Sequence, residues 1–259
     1  MAEGDDFARR LVVSVDAKGY GGTTGNWQRR MQSGLSAVLD QAGDRAGLRR
    51  SGWWIQEAGD GEVAVLPAGE PEPRVVDDYV RHLHAELRRY NRDVPAGREL
   101  RLRMAVHYGP ALPAAKGYAG AGLVVASRLC DSAALRRALD GTGAALAVVL
   151  SEPVFTGTVA GEHTTLDPAD FRQVTVRMKE FMGQAWIHVP GHDLAGVDLD
   201  TGDTGTDTNT EASPAPRAPG ARPPVRQAEG PTGDYAGANI QAVKFVGRDE
   251  INYGDGAGR

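Results

Sequence analysis

RLVVSVDAKGYGGTTGNW (Arg10–Trp27) decides how the rest of the chain is read. Its first half, RLVVSVD, is short, apolar and rich in β-branched residues, the pattern of a buried strand. Its second half sets Gly19, Gly21, Gly22 and Gly25 between one carboxylate, Asp16, and a segment where Trp27, Met31, Leu35, Val38 and Leu39 recur at helical spacing. A strand that ends on a carboxylate and turns through glycines into a helix start brings backbone N–H groups and the positive end of a helix to one place. Phosphate oxygens suit such a place.

Working outward, WWIQEAGDGEVAVLP (Trp53–Pro67) reads as two strands joined by a tight turn at Gly59-Asp60-Gly61. Val75, Val76, Tyr79, Val80, Leu83 and Leu87 mark a second helix, LRLRMAVHYGP (Leu100–Pro110) another strand, and residues 122–139 a third helix. ALAVVLS (Ala145–Ser151) is a strand, and FRQVTVRMKE with QAWIHVP forms a closing hairpin. Helices alternating with strands and hairpins predict an α/β (α+β) fold, a mixed sheet with helices on one or both faces. If the first strand pairs with the Gly59-Asp60 hairpin, Asp16 and Asp60 meet at one edge of the sheet. Hard divalent cations such as Mg²⁺ take such oxygen ligands and complete their shell with water and substrate phosphates. An Asp in a turn is also explained by turn geometry alone, so the pair by itself leaves both readings open.

The bulk properties bound the function. With 259 residues, 41% of them hydrophobic and 24% charged, the chain can build one sizeable core with something extra beside it. A net charge of -5 argues against coating nucleic acid or an anionic membrane by bulk attraction. No stretch approaches the roughly 20 apolar residues of a membrane span, and the start, MAEGDDFARR, lacks a signal-peptide pattern. The expectation is a cytoplasmic protein with neither nucleic acid nor membrane as partner. The single cysteine, Cys130, reads as a small core residue. His107 reads as a core or edge histidine, and Trp53 and Trp54 as core and interface filler. Strand and helix patterning runs over residues 1–190. Residues 191–233, rich in Gly, Pro, Thr and Asp, read as a disordered linker. Residues 234–259 hold two short β-prone stretches around Gly247-Arg248-Asp249, which need a partner sheet edge, copies of themselves, or a return to their own domain.

The order of these pieces over about residues 8–190 resembles the catalytic domain of class III nucleotidyl cyclases, the adenylate and guanylate cyclases. Asp16-Ala17-Lys18-Gly19-Tyr20 resembles the family's Asp-x-x-Gly-Phe, and Gly59-Asp60 its Gly-Asp hairpin. Arg103-Met104-Ala105-Val106-His107-Tyr108-Gly109-Pro110 is similar to its Arg-x-Gly-Ile-His-x-Gly-Pro strand. Gly120 to Leu129 resembles its Gly-Asp-x-Val-Asn-x-Ala-x-Arg-Leu helix start, and Arg177-Met178-Lys179-Glu180 its late Val-Lys-Gly hairpin. The resemblance implies a ferredoxin-like mixed sheet and a head-to-tail homodimer that binds a nucleoside triphosphate. Asp16 and Asp60 would hold two Mg²⁺ or Mn²⁺ ions, and the amides of Lys18, Gly19, Tyr20, Gly21, Gly22 and Thr23 would take phosphates. Arg128, reaching across the dimer, would stabilise the pentacoordinate phosphorus, and Lys179 would touch the phosphate tail. The implied chemistry is attack of a ribose 3′-hydroxyl on the α-phosphate, giving a cyclic mononucleotide and pyrophosphate.

At three positions to which the family gives a role in base or ribose recognition, the chain departs from that pattern. The base-reading Lys or Glu is Gln56, whose amide both donates and accepts, a pattern of neither adenylate nor guanylate cyclases. The adenine-selecting Asp falls at Gly117, and the Asn that positions the ribose at Val124, which can donate no side-chain hydrogen bond. An unusual base choice with retained turnover, and a nucleotide-sensing or dimerising adaptor without turnover, both remain open. The C-terminal segment loosely resembles the short amyloid-signalling or homotypic interaction motifs of bacterial conflict (defence) proteins, in its Ile-Gln and Val-Gly-x-x-x-Ile-Asn elements, implying capture of a protein partner or self-assembly through residues 234–259.

Overall fold

The computed structural model describes residues 8–19, 25–178 and 181–199. The segment from 200 onward, with most of the expected linker and all of the 234–259 motif, lies outside the described residues, as do Tyr20 to Thr24, Lys179 and Glu180.

The elements run β1 (Arg9–Ala17), α1 (Gly25–Arg45), β2 (Trp54–Ala58), β3 (Gly61–Val65), α2 (Glu72–Arg74), a π turn (Val75–Tyr79), α3 (Val80–Asn91), β4 (Leu102–Pro110), β5 (Leu112–Ala114), β6 (Gly117–Ala119), α4 (Ala121–Cys130), α5 (Ala133–Thr142), β7 (Leu146–Ser151), α6 (Glu152–Thr158), β8 (Arg172–Met178) and β9 (Phe181–His188). Among the described residues seven strands form one mixed sheet in the order β2-β3-β1-β4-β7-β9-β8, and β5 with β6 makes a separate small hairpin. Among the described strands of the large sheet only β4 and β7 are parallel.

Alternation along β1 divides the core between the two faces of the sheet. Leu11, Val13 and Val15 pack with the apolar sides of α1, α3 and α6, including Leu35, Leu39, Leu83, Leu87 and Phe155. On the other face Val12 meets Ala126 of α4, while Ala105, Ala147 and Val149 meet Leu129, Leu135 and Leu139 of α4 and α5. Asp16 and Ser14 share that second face with Val12. Cys130 is a buried core residue, as expected, and burial pushes its thiol up to about 12.

The helix anticipated over 122–139 is two helices, because the Ser132 hydroxyl accepts the Leu135 N–H at 3.3 Å and starts a fresh one. Helix α6, not anticipated, begins behind Ser151 with Pro153 in its first turn. Leu194 and Leu199 are buried, so packed chain continues beyond residue 190. No described helix is long and apolar enough to cross a membrane.

His107, on the α4 face of β4, has a buried Nδ1 without a hydrogen-bond partner among the described residues. Burial, and secondarily the nearby Arg9, lowers its pKa from 6.5 to about 4. Between those two values the unfolded chain binds a proton that the folded ring refuses, so stability falls as pH drops through that window. The expected loss is on the order of 2 kcal/mol. His84 and His188, also lowered mainly by burial, act in the same direction. The measurement is therefore a difference: urea unfolding at pH 7 and pH 4.5 should show a smaller loss in His107→Gln than in the parent, and equal losses would refute the assignment.

Candidate functional site

The site is assembled at the end of β1. Ala58 pairs with Gly61, leaving Gly59-Asp60 as a two-residue turn, and Gly59 at φ +59 supplies the positive dihedral that a type II′ hairpin needs at its first position. Gln32 of α1 donates to the Gly59 carbonyl at 2.9 Å and pins the turn. At Gly61 a Cβ would lie 2.3 Å from the Val15 carbonyl oxygen, so only glycine lets β3 close on β1 here. Asp16 then sits opposite Gly61, and the Ala17 N–H donates to the Asp60 carbonyl at 2.8 Å. Both aspartates are thus at the same end of adjacent strands. Burial raises the Asp16 pKa above its ordinary value, Arg103 opposes that rise, and the charges of Asp60 and Asp131 add to it.

Arg103 is the cross-strand partner of Asp16 on β4 and bonds its carboxylate directly through Nη2. Its Nη1 lies 3.6 Å from Asp131 Oδ1, a carboxylate that also pairs with Arg136. In the sequence Arg103 stands only as part of a motif, with no role of its own. Its signal is the antiparallel register of β1 and β4, which sets opposite charges face to face.

The other anticipated residues lie as follows. The Lys18 N–H donates to the Arg101 carbonyl at 2.9 Å and its ammonium pairs with Asp140, so both groups are engaged within the domain. Gly19 has φ +85, a conformation that favours glycine. Tyr20, Gly21, Gly22, Thr23 and Lys179 lie outside the described residues. Gln56 is exposed on the edge strand β2, opposite Val63. Arg128, half-buried on α4, makes no ion pair with any described residue, either aspartate included. Val124, one turn earlier on α4, is 41% exposed. A Cβ at Gly117 would fall 2.2 Å from the Trp54 indole, and φ is +107, so this position admits no carboxylate side chain. Trp54 also lies against Tyr118, with ring centroids 5.6 Å apart.

Among the described residues no three His, Cys, Asp or Glu side chains are grouped to hold a metal ion. Two hard carboxylates at one strand end still fit Mg²⁺ or Mn²⁺, which keep water and phosphate oxygens in their remaining positions. Arg103 is the cation already paired with Asp16.

No protein-family model matches the chain, and no curated protein is similar to it in sequence. Solved structures do match. An adenylate/guanylate cyclase/hydrolase from Silicibacter pomeroyi is 17% identical, with a TM-score of 0.51 over 71% of this chain and 99% of that one. The guanylyl cyclase Cya2 is 15% identical, with a TM-score of 0.51 over 76% of this chain and 100% of that one. The fold is that of adenylate and guanylate cyclase domains. At these identities the likeness is one of architecture, and the chemistry has to be argued from the residues themselves.

Proposed function

We propose that this cyclase-like domain binds a nucleoside triphosphate together with Mg²⁺ or Mn²⁺ at the end of β1, working as a head-to-tail homodimer. The observation that carries the reading is the placement of Asp16 and Asp60 on adjacent strand ends, beside the turn at Lys18-Gly19. A divalent cation bound there supplies charge neutralisation on the phosphate tail. The amides from Gly19 onward bind phosphate oxygens, Gln56 meets a base edge, Lys179 touches the phosphate tail, and Arg128, reaching across from a second protomer, stabilises the pentacoordinate phosphorus. Attack of the ribose 3′-hydroxyl on the α-phosphorus forms the cyclic ester and breaks the bond to pyrophosphate, which leaves.

One observation favours a second reading. Val124 is exposed on α4 and offers no side-chain donor where the resemblance places the ribose-positioning Asn. A protein built this way would sense nucleotide or only dimerise, and act as an adaptor that recruits an effector through residues 234–259. Incubation with ATP, GTP, CTP and UTP plus Mn²⁺ separates the two. Turnover predicts pyrophosphate from at least one nucleotide and its loss in Asp16→Ala. The nucleotide-sensing adaptor predicts no pyrophosphate but a raised melting temperature with nucleotide. Neither response from any of the four would reject nucleotide binding altogether.

A further inference from the structure

We propose that Arg103 is a built-in counter-ion that holds the Asp16 carboxylate until a divalent cation takes it, with Asp131 receiving the released guanidinium. The inference rests on the reading of Asp16 and Asp60 as cation ligands. Asp16 is 29% exposed and Arg103 12% exposed, so each charge needs a partner whenever the other departs. Arg103 has a second carboxylate within reach, Asp131, at 3.6 Å from Nη1. Its hold on the present arrangement is incomplete, because the buried Nε has no hydrogen-bond partner among the described residues. Asp60 makes no ion pair with any described residue, which leaves its carboxylate open to a cation first.

Arg103 bonds one oxygen of Asp16, and a divalent ion held by Asp60 and the other oxygen would be a like charge close to that guanidinium, so each weakens the hold of the other. A small rotation of the Arg103 head toward Asp131 relieves the conflict without leaving a buried charge bare. Asp131 is 52% exposed and shared with Arg136, so it takes up the cation loosely and the exchange is reversible. Cation affinity is then set by a competition inside the protein, and Arg103 is a positioning residue that touches no substrate.

Titration of the full-length protein with Mn²⁺, following free Mn²⁺ by electron paramagnetic resonance without nucleotide, tests this. Arg103→Gln should bind Mn²⁺ about tenfold more tightly than the parent, and Asp131→Asn, which removes the alternative seat, about threefold more weakly. Asp16→Asn should abolish the site. Unchanged or weaker binding in Arg103→Gln, with Asp16→Asn still abolishing it, would overturn the counter-ion role and leave the cation site standing. Equal titrations for Asp16→Asn and the parent would remove the cation site and this inference together. If Arg103→Gln does not fold, Asp131→Asn decides: weaker binding supports the exchange, and unchanged or tighter binding overturns it.

Discussion

Val124→Asn should raise pyrophosphate release about a hundredfold with the preferred nucleotide. The position lies on the exposed side of α4, one turn before Arg128, and 41% of the valine is already in solvent. An asparagine amide therefore enters without repacking the core, and valine and asparagine have similar helix propensity. A single oriented donor at a charge-developing centre contributes on the order of 3 kcal/mol, which gives the hundredfold figure. Val124→Ala removes the same methyl groups without adding a donor and should leave the rate unchanged. An equal gain in both variants would trace the effect to sterics. No gain in either would mean that the missing donor is not what limits turnover, and the adaptor reading would gain accordingly.

The largest effect on stability is expected at Arg50. This side chain, 6% exposed, donates to both oxygens of Glu62 at 2.9 and 3.1 Å, to Asp40 at 2.9 Å and to the Tyr79 hydroxyl at 3.2 Å, and it lies 5.0 Å from the Trp53 ring centre. Glu62 is equally buried and on the strand that carries Asp60 toward Asp16. Arg50→Met keeps most of the volume but leaves Glu62 as an uncompensated buried carboxylate, at a cost of about 3–5 kcal/mol. Burial already raises the Glu62 pKa, and without Arg50 it rises further, so the deficit should shrink as pH falls and the carboxylate protonates. Urea unfolding at pH 7.5 and pH 5 measures both effects. Adding Glu62→Leu to Arg50→Met should recover much of the loss, and a double variant no more stable than the single one would contradict the assignment.

What the sequence made legible follows the range of the interactions. The strand RLVVSVD, the helix that starts around Trp27 and the Gly59-Asp60 turn are local patterns, and each lies where its residues place it. The placement of Asp16 and Asp60 at the same end of adjacent strands follows from one hairpin and one strand pairing. Arg103 is 87 residues from Asp16, and only the register of β1 against β4 reveals that the two are partners. Trp54 filling the space beside Gly117 is hidden for the same reason, since two segments distant in sequence meet there. The break at Ser132 and the short helix α6 did carry local signals, a capping hydroxyl and a proline in a first turn. Continuous apolar periodicity outweighed the first, and the brevity of the helix obscured the second.

The proposed function depends most on Asp16 and Asp60 jointly placing a cation under the triphosphate. Calorimetric titration of ATP, GTP, CTP and UTP into the full-length protein, with and without Mn²⁺, tests it most directly when repeated on Asp16→Asn and Asp60→Asn. At least one nucleotide should bind in a Mn²⁺-dependent manner, and either substitution should weaken that binding about a hundredfold or more. Nucleotide binding indifferent to Mn²⁺ and to both substitutions, or no binding of any of the four, would contradict it.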